Sequence, residues 1–171
     1  MRAIVSAMLC HAGAGCDGLD TWQPPAGAQA LTVVRARPDG YPIWNYPYSG
    51  AFDELRLVIR EASAWSTFWT TTVSTVEPVP PIDFASETII AAGMGWRPTG
   101  GFHVEIPAAY RMGAFDIYVV VCETSPPRDA GVTAAETQPL TLARIPRIDE
   151  TFVHFVEMPA VGACPAAFDE G

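Results

Sequence analysis

His103 and Glu105 are the residues whose types and spacing come nearest to a catalytic or metal-binding arrangement. They stand two positions apart in an alternating stretch, so a strand would place both side chains on the same face. A zinc site would need a third ligand, such as His154 or Glu123, to lie beside them. The simpler interpretation is that His103 and Glu105 are polar residues on the solvent face of a strand. We therefore predict no metal and no cofactor, and keep a metal-dependent enzyme as an alternative function.

Other catalytic arrangements are missing from the sequence. A serine hydrolase needs a nucleophile, a base and an orienting acid, and the sequence has no Gly-x-Ser-x-Gly motif. Acidic pairs such as Asp149 and Glu150 flank predicted strands, where such residues usually form a solvated rim. We predict no catalytic residues and a protein that is not an enzyme.

The cysteines favour a structural disulfide over a metal site. Cys10, Cys16, Cys122 and Cys164 include no Cys-x-x-Cys pair, so the spacing of a zinc ribbon is absent. Cys122 and Cys164 lie in the body of the chain, and we predict that they form a disulfide, as is typical of exported proteins. The alternative is two separate thiols, one packed and one exposed.

Composition and charge exclude several classes of protein. The 171 residues are enough for one ordinary domain, and a content of 49% apolar and 17% charged residues excludes wholesale disorder. The net charge is −9 and the 10 basic residues, all Arg, form no cluster, so we predict no nucleic-acid partner. No apolar run approaches the roughly 18 residues of a membrane span.

Residues 1–16 have the features of a secretory signal. Arg2 precedes a short apolar run, and small residues precede Cys16, as in the lipobox at which bacterial lipoproteins are cleaved and acylated. Gly13 stands where a lipobox usually has Leu, so a plain export signal is the alternative. We predict an exported protein of the cell envelope, periplasm or extracellular space, acylated at Cys16. Residues 17–30, rich in Pro, Ala and Gly, are predicted to be a flexible tether.

Residues 31–158 have the pattern of a single globular domain, followed by an irregular tail over residues 159–171. Alternating or apolar strand patterns occupy six segments: 54–60, 87–94, 102–106, 115–122, 140–145 and 151–156. Trp65, Phe68 and Trp69 share one face of a predicted helix after the first of these strands. We predict an α+β fold, a mostly antiparallel sheet with one amphipathic helix packed on it, in the order β-α-β-β-β-β-β.

The pattern also predicts how some of these strands pair. The strand at 87–94 is apolar on both faces and should be central, and those at 102–106 and 115–122 should form a hairpin. We expect the last two strands to pair with each other.

A tight turn precedes the hairpin and is the candidate working surface. It consists of Trp96, Arg97, Pro98, Thr99, Gly100 and Gly101, and we expect positive φ at both glycines. Trp96 and Arg97 are not explained by core packing, and both residue types are common in binding hot spots. Residues 41–48 form an aromatic, Pro-interrupted flap that should cover the edge of the core, with partner contact as the alternative.

Several of these residues together resemble the PrcB C-terminal domain family over about residues 49–156. They are Trp65, Phe68, Trp69, Asp83, Phe84, Gly95, Pro98 to Phe102, and the downstream run Thr137, Gln138 and Pro139. The family consists of bacterial secreted proteins and lipoproteins, and its namesake is a subunit of a surface protease complex. The resemblance implies a non-catalytic accessory subunit, and it adds Thr137, Gln138 and Pro139 to the candidate partner surface.

The predicted function is therefore binding of a protein partner in the envelope, such as a protease. The run 96–102 is also similar to a loop of chagasin-type cysteine-protease inhibitors, although the Asn of that loop is missing and those inhibitors lack the helix predicted here. A protease inhibitor that uses residues 96–102 is thus a second alternative.

Overall fold

The computed structural model describes residues 22–40, 44–149 and 152–164, and in this part of the chain eight strands accompany one short helix. The elements are β1 (Gln29–Leu31), β2 (Asn45–Tyr46), β3 (Glu54–Ile59), α1 (Ala62–Phe68), β4 (Glu87–Met94), β5 (His103–Met112), β6 (Asp116–Ser125), β7 (Leu140–Pro146) and β8 (Phe152–Val161). The predicted fold, mostly antiparallel strands with one helix packed on them, is confirmed. The short strands β1 and β2 add to the six predicted ones.

The strands form two sheets rather than one. The first sheet has the order β1-β5-β6-β8 and the second β2-β7-β4-β3. All neighbours are antiparallel except β6 and β8, which run parallel. The predicted hairpin of β5 and β6 and the inner position of β4 are both confirmed.

The predicted pairing of the last two strands is wrong. β7 pairs with β4 in the second sheet, whereas β8 pairs with β6 in the first. The segment between them crosses from one sheet to the other, and its Ile148 is buried in the core between the sheets. A parallel pair needs such a crossover connection, and here β7 itself is part of it.

Both faces of the second sheet are buried, and alternate residues of β4 point to one face or the other. Ile90, Ala92 and Met94 of β4 face the first sheet, where they pack with β5 and β6 side chains. Ile89 and Ala91 face the other way, onto α1. Complete burial of one large apolar side chain contributes about 1.5–3 kcal/mol, which explains why both faces of β4 carry apolar residues.

The helix packs an aromatic face against the side of the second sheet that is turned away from the first sheet. Trp65, Phe68 and Trp69 are buried, as their spacing predicts, and Trp44 packs edge-on against Trp65 with ring centroids 5.6 Å apart. The helix begins after Glu61, which provides no side-chain cap. Beyond Phe68 the chain continues as a π-helical turn, Trp69–Val73.

Strands and packed aromatic residues lie near both ends of the described chain. β1 begins at Gln29, within the predicted tether, and Trp22 packs against Tyr110 and Tyr118 on the outer face of the first sheet. β8 continues to Val161, past the predicted boundary at residue 158. The predicted signal segment 1–16, Cys16 and Tyr41 lie outside the described residues. Among the helices of the described ranges, none is long and apolar enough to cross a membrane.

Candidate functional site

Backbone hydrogen bonds join the two segments that the sequence singles out. The N–H of Arg97 donates to the carbonyl of Thr137 at 2.8 Å, and the N–H of Thr137 donates back to the carbonyl of Arg97 at 2.9 Å. The buried Thr137 hydroxyl also donates to the Thr99 carbonyl, at 3.0 Å. The 96–101 turn and the 137–139 segment are therefore joined through their backbones. We call the two segments together the turn surface; Thr137 and Pro139 are buried, and its exposed residues belong to the turn.

A third segment, residues 47–52, supports the turn surface from the side. The N–H of Trp96 donates to the carbonyl of Phe52 (2.9 Å), and the N–H of Gln138 donates to that of Pro47 (3.0 Å). The hydroxyl of Ser49 donates to the Gln138 carbonyl at 2.8 Å. The sequence points to the neighbouring aromatic flap but not to Ser49 or Phe52, because no local pattern marks contacts made across 44 and 89 residues of chain.

Two glycines shape the turn for different reasons. Gly101 has φ of 86°, which confirms the expected positive φ, and an added Cβ would lie 2.9 Å from Val132 Cγ1. The expectation for Gly100 is wrong, since its φ is not positive. Gly100 is instead constrained by space, because a Cβ there would collide with Thr133 Oγ1.

Exposed aromatic side chains lie on the turn surface and on the segment that supports it. Trp96 is 45% exposed, and the supporting segment adds Phe52 at 64% and Tyr48 at 60%. Of the rest of the predicted flap, Trp44 is buried and Tyr46 packs edge-on against Trp69. Trp44 and Tyr46 of the flap thus cover the core, as expected, while Tyr48 is exposed.

Arg97 is held in place by its neighbours. Its guanidinium carbon lies 5.8 Å from the ring centroid of Phe102, and Nη1 donates to the carbonyl of Trp96 at 3.0 Å. Nη2 lies 4.0 Å from Glu123 Oε2, an ion pair at the limit of contact. The side chain is half-buried, so a cation is fixed beside the exposed indole of Trp96.

Behind this surface, Arg56 links the two sheets. Its Nε and Nη2 donate to the two carboxylate oxygens of Glu157 on β8 (2.8 and 2.7 Å), and Nη2 also donates to Glu123 on β6 at 2.6 Å. Nη1 donates to the carbonyls of Leu55 and Gly93. Burial opposes the charge, but the bonds to Glu157 and Glu123 outweigh it, so the pKa of Arg56 is raised.

Arg56 lies on an inward face of β3, although its charge favours the solvent side. Alternation along β3 places Arg56 with Glu54 on the solvent side, yet only 12% of the Arg56 side chain is exposed. The strand turns Arg56 and Val58 towards the first sheet, and Leu55 and Ile59 towards α1. Two carboxylates from the opposite sheet make the inward position tolerable for a cation.

His103 and Glu105 form a pair without the third ligand that a metal site would need. His103 Nε2 lies 2.9 Å from Glu105 Oε1, and this hydrogen bond outweighs burial and lowers the pKa of Glu105. Glu123 is bound to Arg56, and His154 contacts Asp116 at 2.7 Å. Within the described ranges, no group of three or more His, Cys, Asp or Glu side chains is arranged to hold a metal ion.

Cys122 and Cys164 form the predicted disulfide, with their Cα atoms 6.0 Å apart. Cys122 is buried on the outer face of β6, in a small apolar cluster with Val120 and Met158, and the half-buried Cys164 packs against it. This Cα separation is normal for a disulfide, and the bond fixes the chain after β8 onto the first sheet.

The turn surface and the strands around it lie within a stretch that matches a known family. Residues 88–146 match the family model described as PrcB C-terminal. This confirms the resemblance found in the sequence. The matched stretch runs from β4 to the end of β7 and contains both parts of the turn surface. It is shorter than the 49–156 expected, since it leaves out the helix with Trp65, Phe68 and Trp69.

No curated protein matches the chain, and no solved structure matches it. The disulfide and the PrcB C-terminal match are both typical of an exported protein.

Proposed function

We propose that this chain is a non-catalytic protein of the bacterial envelope that binds a protein partner through the turn surface. Its partner is a protease, with which it associates as an accessory subunit. The observation that carries this proposal is the exposure of Trp96, at 45%, on a backbone fixed by hydrogen bonds to Phe52 on one side and, through Arg97, to Thr137 on the other. A large aromatic residue held in this way loses little conformational entropy when a partner covers it.

The residue types of the turn surface support the same proposal. Trp and Arg are enriched in binding hot spots, and Trp96 and Arg97 are adjacent here with the Arg97 guanidinium fixed over Phe102. The PrcB C-terminal match supports the choice of a protease complex, because the family's namesake is a subunit of one.

The proposed location is the cell envelope, with a lipid anchor on Cys16. The disulfide between Cys122 and Cys164 favours an oxidising compartment outside the cytoplasm. In cells that express the full chain, wild-type protein should fractionate with membranes and the Cys16→Ser variant should not. A Cys16→Ser variant that stays with membranes would remove acylation from the proposal.

The function is tested by affinity capture from an envelope extract of the source organism, with four variants beside the wild type. Trp96→Ala and Arg97→Ala alter the turn surface. Phe115→Ala is a matched control for Trp96, since Phe115 is exposed at the β5–β6 turn, and Arg128→Ala is the control for Arg97. We expect a protease that wild type and both controls retain and that both turn variants lose.

The activity of the captured protease separates the proposal from its alternatives. A protease that stays active in the complex supports an accessory subunit, whereas one that is blocked would identify an inhibitor. Capture that is equal for wild type and turn variants would reject the turn surface as the binding site. Metal-dependent hydrolysis by the purified chain, lost in His103→Ala, would identify an enzyme instead.

A further inference from the structure

A surface pocket of about 230 Å³ opens beside the turn surface. Phe102 and Pro139 belong to its lining and connect it to the 96–101 turn and the 137–139 segment. The other apolar lining residues are Tyr46, Pro47, Val104 and Leu140. Its polar end is formed by two side chains, Asn45 on β2 and His103 on β5. The pocket therefore lies between the edges of the two sheets and is apolar except at one end.

The volume of the pocket limits what it can hold. An apolar cavity of about 150 Å³ accepts a benzene molecule, whereas pockets for drug-sized ligands begin at about 300 Å³. At about 230 Å³ the pocket lies between these volumes and has room for one ring-sized group.

The polar end is incompletely satisfied. The Thr141 hydroxyl donates to Asn45 Oδ1 at 2.5 Å, which directs Asn45 Nδ2 towards His103 Nε2 at 3.2 Å. The same Nε2 lies 2.9 Å from Glu105 Oε1. A single ring nitrogen cannot accept a proton from the amide and donate one to the carboxylate at the same time.

The carboxylate is the stronger of the two partners, because it is charged. With the proton of Nε2 directed at Glu105, the amide end of Asn45 lacks a partner on the pocket side. If the amide is rotated, its oxygen competes with Glu105 for the same proton. A hydroxyl group, which both donates and accepts, completes the hydrogen bonding in either orientation.

We propose that this pocket is an anchor site for a tyrosine side chain of the partner protein, with the phenol ring between Tyr46, Phe102 and Leu140 and the hydroxyl at Asn45 and His103. This inference rests on the proposed function, because the pocket adjoins the turn surface. Tyrosine fits the chemistry of the site, since its ring is apolar, its tip is polar, and it is among the residues enriched in hot spots.

The test uses two small probes that differ only in the hydroxyl, N-acetyl-tyrosinamide and N-acetyl-phenylalaninamide. Each is titrated into the ¹⁵N-labelled full chain, and amide shifts of Tyr46, His103 and Leu140 are followed by NMR. One neutral hydrogen bond changes affinity by about 2- to 10-fold, so we expect the tyrosine probe to bind tighter by that factor. Equal affinities for the two probes, or no saturable shift at the pocket, would overturn the proposal.

Two variants test whether the preference for the tyrosine probe comes from the polar end of the pocket. Asn45→Ala should bring the two affinities to within 2-fold of each other, while His154→Ala, which alters a histidine paired with Asp116 on another part of the sheet, should leave the preference intact. If Asn45→Ala unfolds the chain, the comparison of the two probes on the wild type still decides the proposal.

The outcome is separable from that of the proposed function. Probe binding with partner capture that is insensitive to Trp96→Ala would leave the pocket valid and reject the turn surface. Capture that depends on Trp96 without probe discrimination would reject the tyrosine anchor alone.

Discussion

Loss of the disulfide between Cys122 and Cys164 should lower the stability of the domain by about 4 kcal/mol. The two cysteines are 42 residues apart, and the loop-entropy relation gives about 4 kcal/mol for closing a loop of that length in the unfolded chain. For a chain of this size each kcal/mol corresponds to about 2–4 °C in Tm, so Tm should fall by about 8–16 °C. The loop includes β7 and β8, which belong to different sheets, so the bond restricts an otherwise wide range of unfolded conformations.

The measurement is urea unfolding of the wild type and of the variant with both Cys122→Ala and Cys164→Ala. Wild type in the presence of a reductant provides the matched control, because it loses the bond and keeps both side chains. The reduced wild type and the double variant should lose about the same free energy of unfolding. The variant should be slightly less stable, because Cys122 is buried in an apolar cluster. A loss below about 1 kcal/mol in both would refute the reasoning, and free thiols in the intact mass of untreated protein would refute the bond itself.

Three further predictions concern the sheets and the turn. Arg56→Met should cost about 2–3 kcal/mol in urea unfolding, because it leaves the partly buried carboxylate of Glu123 and the carbonyls of Leu55 and Gly93 without their donor. Glu54→Gln, at an exposed partner 3.5 Å away, should cost less than about 0.5 kcal/mol. Equal effects would contradict the ionic link between the sheets. Gly101→Ala should destabilise the domain more than Gly113→Ala. Both glycines have positive φ, but of the two only Gly101 has side chains within contact of an added Cβ. Equal losses of unfolding free energy would show that the turn adapts freely. The pKa of Glu105 lies below its ordinary value of 4.5, so its carboxylate stabilises the fold above pH 4.5, and this contribution is lost as the pH falls through the lower folded pKa. The difference in Tm between wild type and Glu105→Gln should therefore close between pH 6 and pH 3. A constant difference would contradict the pairing with His103.

Local patterns in the sequence predicted the elements well and their partners poorly. The period of Trp65, Phe68 and Trp69 defines a helix face, and the doubly apolar run of β4 defines an inner strand, because both follow from the burial of neighbouring residues. The partner of β8 could not be found in this way. Alternation shows which residues share a face, but pairing with β6 rather than β7 depends on contacts far apart in the chain.

Arg56 illustrates the same limit for a single side chain. Its charge and its place in an alternating strand favour solvent, and the carboxylates that make its inward position stable come from β6 and β8, about 67 and 101 residues away. No local feature of β3 signals them. Buried cations are understood only once their partners are known.

The candidate surface was predictable in part. The motif residues of the turn and of Thr137 to Pro139 were singled out together by their resemblance to the PrcB C-terminal family, and reciprocal hydrogen bonds between Arg97 and Thr137 join them. The pocket beside them was not predictable, because it combines Asn45 of β2 with His103 of β5, two strands that belong to different sheets.

The most direct test of the central claim is the affinity of the captured protease for the purified chain, measured for wild type, Trp96→Ala and Phe115→Ala. Loss of a hot-spot tryptophan costs about 2 kcal/mol or more, so Trp96→Ala should weaken binding by at least about 30-fold. Phe115→Ala, at an aromatic residue that is outside the turn surface and more exposed than Trp96, should stay within 2-fold of wild type. Binding by Trp96→Ala as tight as that of wild type would contradict the claim that the turn surface is where the partner binds.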